Sequence, residues 1–383
     1  LFPYTTLFRS GQIMPACYYW LSYDRNPRLK ALILASVFTA MAMMTKGIFV
    51  VVTIFSGLVA SWIYTRQFSK IISPRWLLAY CLTLVFISPE IIALYLQFDS
   101  QPNKVIFGQT HVSGIAWYFW GSQFGRFFNS GPIVNTHGNP FFFVHTYLWA
   151  FLPWSLVFIA AMYNSIRTFK QNQGNEKAKL IYLWFSFWLT FIMFSATKFQ
   201  LDHYTNIIMP FAAILCANYL YKANLKVLSK VQIGLSVILL ILTIGLTIYL
   251  FKLSIYSLVS ILPLMVLVYI LRKPALSYLE QAMIYPSLAI SAVFLFVMLV
   301  NGKIYQQYDV GYNLAKIINS QPPAPVYDVD ANAQPLEFHL NYPYIKLDSI
   351  NDLPKDSDNY FVINSDNADH LPVAATPVGQ FCG

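Results

Sequence analysis

The chain has 383 residues, of which 57% are hydrophobic and only 11% charged, where a soluble domain carries about 25% charged residues. The apolar residues fall in runs of roughly 17–25, long enough to cross a bilayer, and lipid offers the backbone no hydrogen-bond partners, so the runs must be helices. This excludes an ordinary soluble enzyme. The net charge of +9 does not indicate a nucleic-acid partner, because the basic residues lie between the apolar runs, where they set topology.

Residues 1–10 match the in-frame translation of a common DNA-sequencing adapter. We therefore expect an artefact there, with the protein proper starting at Gly11 and an unknown length missing before it. Residues 11–300 are predicted to form about nine complete transmembrane helices after an N-terminal remnant. The apolar segments are 11–22 (the remnant), 31–45, 48–64, 76–97, 141–163, 180–196, 204–221, 231–251, 253–271 and 282–300.

Basic residues divide the connections between these segments into two sets. One set holds 15 Lys and Arg residues, and the alternate set holds five before residue 301. Positively charged loops stay in the cytoplasm, so the other connections, including 98–140 and the C-terminal tail, are predicted to lie outside. The predicted cytoplasmic loops are 23–30, 65–75, 164–179, 222–230 and 272–277.

The tail, 301–383, differs from the rest of the chain in holding 10 of the 16 acidic residues. Apolar residues at helical spacing between Asp309 and Pro322 predict a helix. Strand-like runs at 325–329, 336–340 and 360–363, separated by turn residues, complete a small domain on the periplasmic or extracellular side. The predicted fold class is therefore an all-α polytopic membrane protein with a small C-terminal α/β soluble domain.

The outer-face loop 98–140 is long, aromatic and Gly-rich, and contains Arg126 within Gln-Phe-Gly-Arg-Phe-Phe. Aromatic residues at a membrane interface often form only a belt. The alternative is an amphipathic segment that covers a cavity and places Arg126 at headgroup depth, where its planar fork suits phosphate oxygens.

Further ionisable residues are predicted at the same outer level. Lys46 occupies a tight turn between two helices, where a snorkelling lysine is the alternative. Glu90 lies about two turns inside the end of its helix, where a carboxylate is costly unless paired. The turn at 197–204 adds Lys198, His203 and Tyr204. Together these residues suggest a cationic site for an anionic lipid headgroup.

The sequence lacks the signatures of soluble enzymes, such as a Gly-rich phosphate loop, GxSxG, HExxH or CxxC. Its four cysteines show no metal-ligand spacing. No cofactor is predicted, and dependence on a divalent metal is left open.

Four motifs carry a family resemblance: TKG at 45–47, QFGRFF at 123–128, HGNPFFFVHTYLWAFLPWSL at 137–156 and FSATKFQLDHYTNIIMPF at 194–211. In this order they resemble the bacterial family-39-like glycosyltransferases of the GT-C class. That group includes enzymes like the dolichyl-phosphate-mannose protein mannosyltransferases and the aminoarabinose transferase of lipid A. The resemblance covers about residues 11–300.

The resemblance implies a GT-C-like helical bundle in the cytoplasmic (inner) membrane that takes a sugar from a polyprenyl-phosphate donor. The acceptor would be a lipid, such as lipid A, another cell-envelope glycan or a protein. Preorganised cations would stabilise the charge that develops on the phosphate leaving group. The positions that match substrate-binding residues of the family are Lys46, Arg126, His137, Lys198, His203 and Tyr204, with Glu90 a further candidate.

The chain departs from the family pattern at three positions. Gly121 and Gln123 stand where an acidic residue or His is common, and Asp202 stands where Pro is common. The family's catalytic carboxylate belongs to the first outer loop, upstream of Gly11. The catalytic base is therefore unknown, and the 383-residue chain is expected to lack transferase activity.

Two other functions remain open. A transporter or flippase of a lipid-linked sugar should show inverted repeats and polar residues at the membrane midplane. Here no repeat is evident, and the polar residues gather at one face. A non-catalytic scaffold that displays the acidic domain would leave the outer-face cations unexplained.

Overall fold

The structure is a computed structural model. It describes residues 2–106, 108–130, 138–252, 254–255, 259, 261–271, 276–302, 309–329, 336–347, 349–354, 359–364, 376 and 378. The helices are α1 Phe2–Arg25, α2 Leu29–Lys46, α3 Val50–Tyr64, α4 Pro74–Phe86, α5 Ser88–Leu94, α6 Gly114–Ala116, α7 Ser122–Phe128, α8 Phe142–Ala150, α9 Ser155–Thr168, α10 Gly174–Ser195, α11 Met209–Lys222, α12 Lys226–Phe251, α13 Leu262–Leu271, α14 Tyr278–Val300, α15 Val310–Asn319 and α16 Leu336–His339. The strands are β1 Val326–Val329, β2 Tyr344–Leu347 and β3 Tyr360–Ile363. Tyr95–Asp99 and Trp117–Gly121 are π-helical, and Phe68–Lys70, Asp202–Ile207 and Ile350–Asp352 are 3-10 turns.

Four helices, α2, α10, α12 and α14, are long and apolar enough to cross a membrane. The number rises to six if two bent pairs, α4 with α5 and its π-helical end, and α8 with α9, each count as one span. These figures rest on length and composition in the described part of the chain. Much of the surface of these helices is apolar and exposed, as at Tyr249, which is 82% exposed. Such a surface fits contact with lipid.

The predicted segments and the observed helices differ in several places. The segment 48–64 is a helix of only 15 residues, and 204–221 starts as a 3-10 turn before a helix of 14 residues. Part of 253–271 lies outside the described residues. The segment 141–163, predicted as one transmembrane helix, is instead broken into α8 and α9, which meet at 114°. Pro153 lies in the break and has no N–H to continue a helix.

The chain divides into two compact units, 1–235 with 276–286, and 236–275 with 287–383. In the first unit, the carboxylate of Asp24 connects three elements. It accepts hydrogen bonds from Lys70 Nζ at 2.7 Å and from the indole of Trp62 at 3.2 Å. Arg75 lies 3.8 Å from the same carboxylate and over the ring of Tyr23. This cluster fixes the end of the bundle that the sequence predicts to be cytoplasmic.

Helices α3 and α10 approach closely because Gly57 lies at their crossing. A Cβ added to Gly57 would overlap the carbonyl oxygen of Tyr182 and the hydroxyl of Ser186. One turn away, the hydroxyl of Thr190 donates to that of Thr53 at 3.0 Å, and both residues are buried. Small residues at a helix crossing, with a hydrogen bond between the helices, are typical of packing inside membranes.

The α/β domain has a three-stranded parallel sheet in the order β2-β1-β3. Helix α15 starts at Asp309, whose side chain accepts a hydrogen bond from the Tyr312 N–H at 2.9 Å. The core of the domain contains Ala315, Ile318, Val326, Leu336 and Val362.

The predicted strand at 336–340 is wrong, because α16 occupies this position. Leu336 is buried and Leu340 packs against the same core, as residues four apart on a helix do. A strand would also turn Phe338 towards the core, but Phe338 is 82% exposed. The strand that the sequence did not predict here is β2.

Candidate functional site

The predicted outer segment is helical from Gly114 to Phe128, and Asp99 fixes its start. The carboxylate of Asp99 accepts hydrogen bonds from the Ser113 hydroxyl and from the N–H groups of Gly114, at 3.0 Å, and Ile115, at 3.3 Å. These N–H groups have no partner inside the helix, and a carboxylate at this end also suits the helix dipole. Asp99 therefore has a structural role that the sequence did not reveal.

The same segment packs against the turn between α2 and α3. Gly47 ends α2 with φ +83°, a conformation that favours glycine. A Cβ at Gly47 would also overlap the buried amide of Gln123. The hydroxyl of Tyr118 donates to the carbonyl of Met43 at 2.8 Å. These contacts hold Lys46 at the end of α2 beside the outer segment.

Main-chain hydrogen bonds connect the outer segment to the turn that follows α10. The N–H of Lys198 donates to the carbonyl of Phe127 at 3.0 Å. The N–H of Phe199 donates to the carbonyl of Arg126 at 3.2 Å. The carbonyl of Lys198 accepts from the N–H of Gly138 at 2.8 Å. We call these three bonds the main-chain joint; it aligns Arg126 with the turn that carries Tyr204.

Lys46, Arg126 and Tyr204, although far apart in sequence, form one cluster. The Nζ atom of Lys46 lies 5.3 Å from the centroid of the Tyr204 ring, within cation–π range. Arg126 lies near enough to the Tyr204 hydroxyl for its charge and its N–H donors to lower the pKa of the phenol. The Tyr204 ring is held against Phe143 and Phe194, with centroids 6.4 and 5.2 Å away. Two cations and a phenol thus meet at one place.

The protonation of Tyr204 matters for what this cluster binds. Burial is the largest influence and raises the pKa of Tyr204, while the charge and hydrogen bond of Arg126 act in the opposite direction. The net shift is upwards, so the phenol keeps its proton near neutral pH. A neutral phenol can accept one hydrogen bond and still has its own O–H to donate. With Lys46 and Arg126, it forms a set of donors suited to phosphate oxygens.

Three other residues were predicted to belong to the site, and they differ in how they are placed relative to the cluster. The side chain of Lys198 is exposed, and its backbone belongs to the main-chain joint. His203 is half-buried, and its ring meets that of Tyr204 edge-on at 5.3 Å. His137 lies outside the described residues.

Glu90 is half-buried and lies near Tyr118 instead of in the cluster itself. Burial is the main cause that raises the pKa of Tyr118, and the charge of Glu90 raises it further. Tyr118 bonds to the carbonyl of Met43, three residues before Lys46. Glu90 is therefore connected to the end of α2, which carries Lys46, through Tyr118.

Beside the cluster is an open cleft of about 320 Å³ that sequence reasoning missed. It lies between one face of α8 and the 3-10 turn Asp202–Ile207. The signal that could have revealed it was His145, a polar residue inside an apolar run. The lining residues are His145, Thr146, Trp149, Ala150, Asp202, His203 and Asn206. Among the described residues, no three His, Cys, Asp or Glu side chains are grouped so that they could hold a metal ion.

No family model matches this chain, and no curated protein matches it by sequence. The solved structures that resemble it include crystal structures of ArnT from Cupriavidus metallidurans, one bound to undecaprenyl phosphate and one in the apo state. Each aligns with a TM-score of 0.66 and 16% sequence identity. The alignments cover 89% and 90% of this chain, and the chain spans 62% of the length of the ArnT chain.

The chain therefore has a helical GT-C membrane fold like that of ArnT, with a small α/β domain, and the predicted fold class is confirmed. At 16% identity the likeness concerns the fold. The roles of Lys46, Arg126 and Tyr204 as substrate-binding residues stay a prediction.

Proposed function

We propose that the protein transfers a sugar from a polyprenyl-phosphate donor to a lipid, glycan or protein acceptor at the outer face of the cytoplasmic membrane. The observation that carries this proposal is the cluster of Lys46, Arg126 and Tyr204. The fold adds support, because the ArnT chain with the same fold was crystallised with undecaprenyl phosphate. Lipid A or another envelope glycan would be a suitable acceptor.

The cluster would act on the phosphate of the donor. In the transfer step, an acceptor oxygen forms a bond to the anomeric carbon, and the bond from that carbon to the phosphate oxygen breaks. The electron pair of the broken bond stays on the phosphate. Lys46 and Arg126 would stabilise this growing charge, and the Tyr204 hydroxyl would donate a further hydrogen bond. The group that takes the acceptor's proton lies outside this set.

Deletion of the gene in its natural host tests the proposal. We expect an envelope lipid, glycan or protein to lose the mass of one sugar, as measured by mass spectrometry. The parent gene should restore this sugar, whereas genes with Lys46→Ala or Arg126→Ala should not. An unchanged envelope would contradict a transferase. Lipid-linked sugar that builds up on the cytoplasmic side of the membrane would point to a flippase instead.

The predicted topology places the loop at 65–75 in the cytoplasm and the C-terminal domain in the periplasm. Reporter domains fused after Arg75 and after Gly302 should therefore report opposite sides of the membrane. The physical basis is the excess of basic residues on one set of loops. If both fusions report the same side, the predicted number of crossings is incorrect.

A further inference from the structure

The cleft beside the cluster exposes a large aromatic surface among polar groups. Trp149 is 74% exposed, and it lies four residues after His145, so both side chains project from the same face of α8. Asp202 and Asn206 line the opposite side, on the 3-10 turn. With a volume of about 320 Å³, the cleft is at the small end of ligand pockets, which measure about 300–1,000 Å³.

The chemistry of the lining differs from that of the cluster. The cleft is lined by two imidazoles, a carboxylate, an amide and an indole, and by no Lys or Arg among the described lining residues. A phosphate would find little to balance its charge there. A sugar ring fits better, because its C–H face can cover the indole while the carboxylate, amide and imidazoles bond to its hydroxyl groups.

One short turn serves both the cleft and the cluster. Tyr204 of the turn Asp202–Ile207 contacts Lys46 and Arg126, while its neighbours line the cleft. Likewise, Phe143 of α8 packs on the Tyr204 ring, and α8 continues into the wall of the cleft. A ligand held in the cleft would thus lie directly beside a donor phosphate held by the cluster.

We propose that this cleft binds a pyranose ring of the acceptor, which makes the acceptor a carbohydrate-bearing molecule. The inference rests on the proposed function, because it assigns the cluster to the donor. It also explains why Trp149 lies near the carboxylate of Asp202 and the amide of Asn206. An aromatic residue that only anchors the protein at the membrane interface would need neither group.

Saturation-transfer NMR tests the proposal with the full chain in phospholipid nanodiscs free of glycolipid and of sugar-based detergent. The probes are methyl glycosides of glucose, galactose and N-acetylglucosamine. Ring protons of at least one glycoside should receive saturation, and Trp149→Ala should reduce the signal about fivefold or more through loss of the stacking surface. Trp188→Ala is the matched control, since Trp188 is also an exposed tryptophan on an apolar helix but does not line the cleft. It should leave the signal unchanged.

Competition separates an acceptor sugar from the donor's own sugar. Undecaprenyl phosphate without a sugar should leave the glycoside signal intact. If a polyprenyl-phosphate sugar abolishes that signal, the cleft belongs to the donor and the acceptor assignment is overturned. Absence of any glycoside signal, or an equal loss in both tryptophan variants, overturns the sugar site itself. Binding of undecaprenyl phosphate is measured separately in each variant, so a failure of the proposed donor site is recognised independently.

Discussion

Replacing Arg126 with alanine is expected to weaken binding of undecaprenyl phosphate by about 10- to 150-fold. This range corresponds to the loss of one charge-assisted hydrogen bond, worth about 1.5–3 kcal/mol. The guanidinium reaches the cluster from the end of α7, where the side chain is exposed. Its removal should therefore leave the fold intact. Binding is measured by titrating the lipid into purified protein in nanodiscs.

Two further variants define the chemistry of that binding. Lys46→Ala should cause a loss of similar size, because it removes the second cation next to Tyr204. Arg126→Lys should recover only part of the affinity, since an ammonium cannot present two parallel N–H donors to a phosphate. Lys104→Ala and Arg167→Ala remove exposed cations that lie over other aromatic rings and serve as controls. If these controls lose as much affinity as Arg126→Ala, any exposed cation on the protein contributes equally to lipid binding. The cluster is then not a specific phosphate site.

Replacing Gly57 with valine should cause a large loss of stability in the helical unit. Even alanine would bring its Cβ into the carbonyl oxygen of Tyr182, so α3 and α10 would have to separate. Overpacking of this kind costs about 1–3 kcal/mol, and it would also stretch the hydrogen bond between Thr190 and Thr53. We expect a lower unfolding temperature for alanine and a still lower one for valine, measured by thermal scanning in detergent.

Gly245→Ala provides the matched control for this series. Gly245 lies inside the long helix α12, and a Cβ there would meet nothing within 4 Å. Alanine is preferred over glycine inside a helix by about 0.5–1 kcal/mol, so this variant should be unchanged or slightly more stable. Equal losses at Gly57 and Gly245 would show that helix crossing at Gly57 is not the cause.

Hydrophobic patterning was sufficient to locate most helices, but not to decide where a helix breaks. The segment 141–163 is mostly apolar, and a hydropathy profile counts side chains without regard to backbone hydrogen bonds. Pro153 was the local signal for the break between α8 and α9. At 336–340, alternating residues suggested a strand, yet Leu336 and Leu340 pack on one side of a helical turn.

Some parts of the candidate site could likewise be predicted from the sequence, and others could not. Lys46, Arg126 and Tyr204 were predicted from charge at the outer face and from the family resemblance, and the structure brings them together. The role of Asp99 could not be predicted, because its partners lie 14 to 16 residues further along the chain. The cleft at Trp149 was also missed, since its two walls come from separate segments and only the fold brings them together.

The main-chain joint between Arg126 and Phe199 determines which side chains near the site can be replaced without moving the two segments apart. Its hydrogen bonds use only N–H and carbonyl groups, which every residue except proline supplies in full. The exposed side chain of Lys198 can therefore be exchanged while the spacing between the two segments is preserved. The main-chain hydrogen bonds keep the two segments in place while a different side chain is presented to the site. A library randomised at Lys198, whose side chain is exposed, should consequently keep most members folded, which makes this position a suitable place to alter what the proposed site binds.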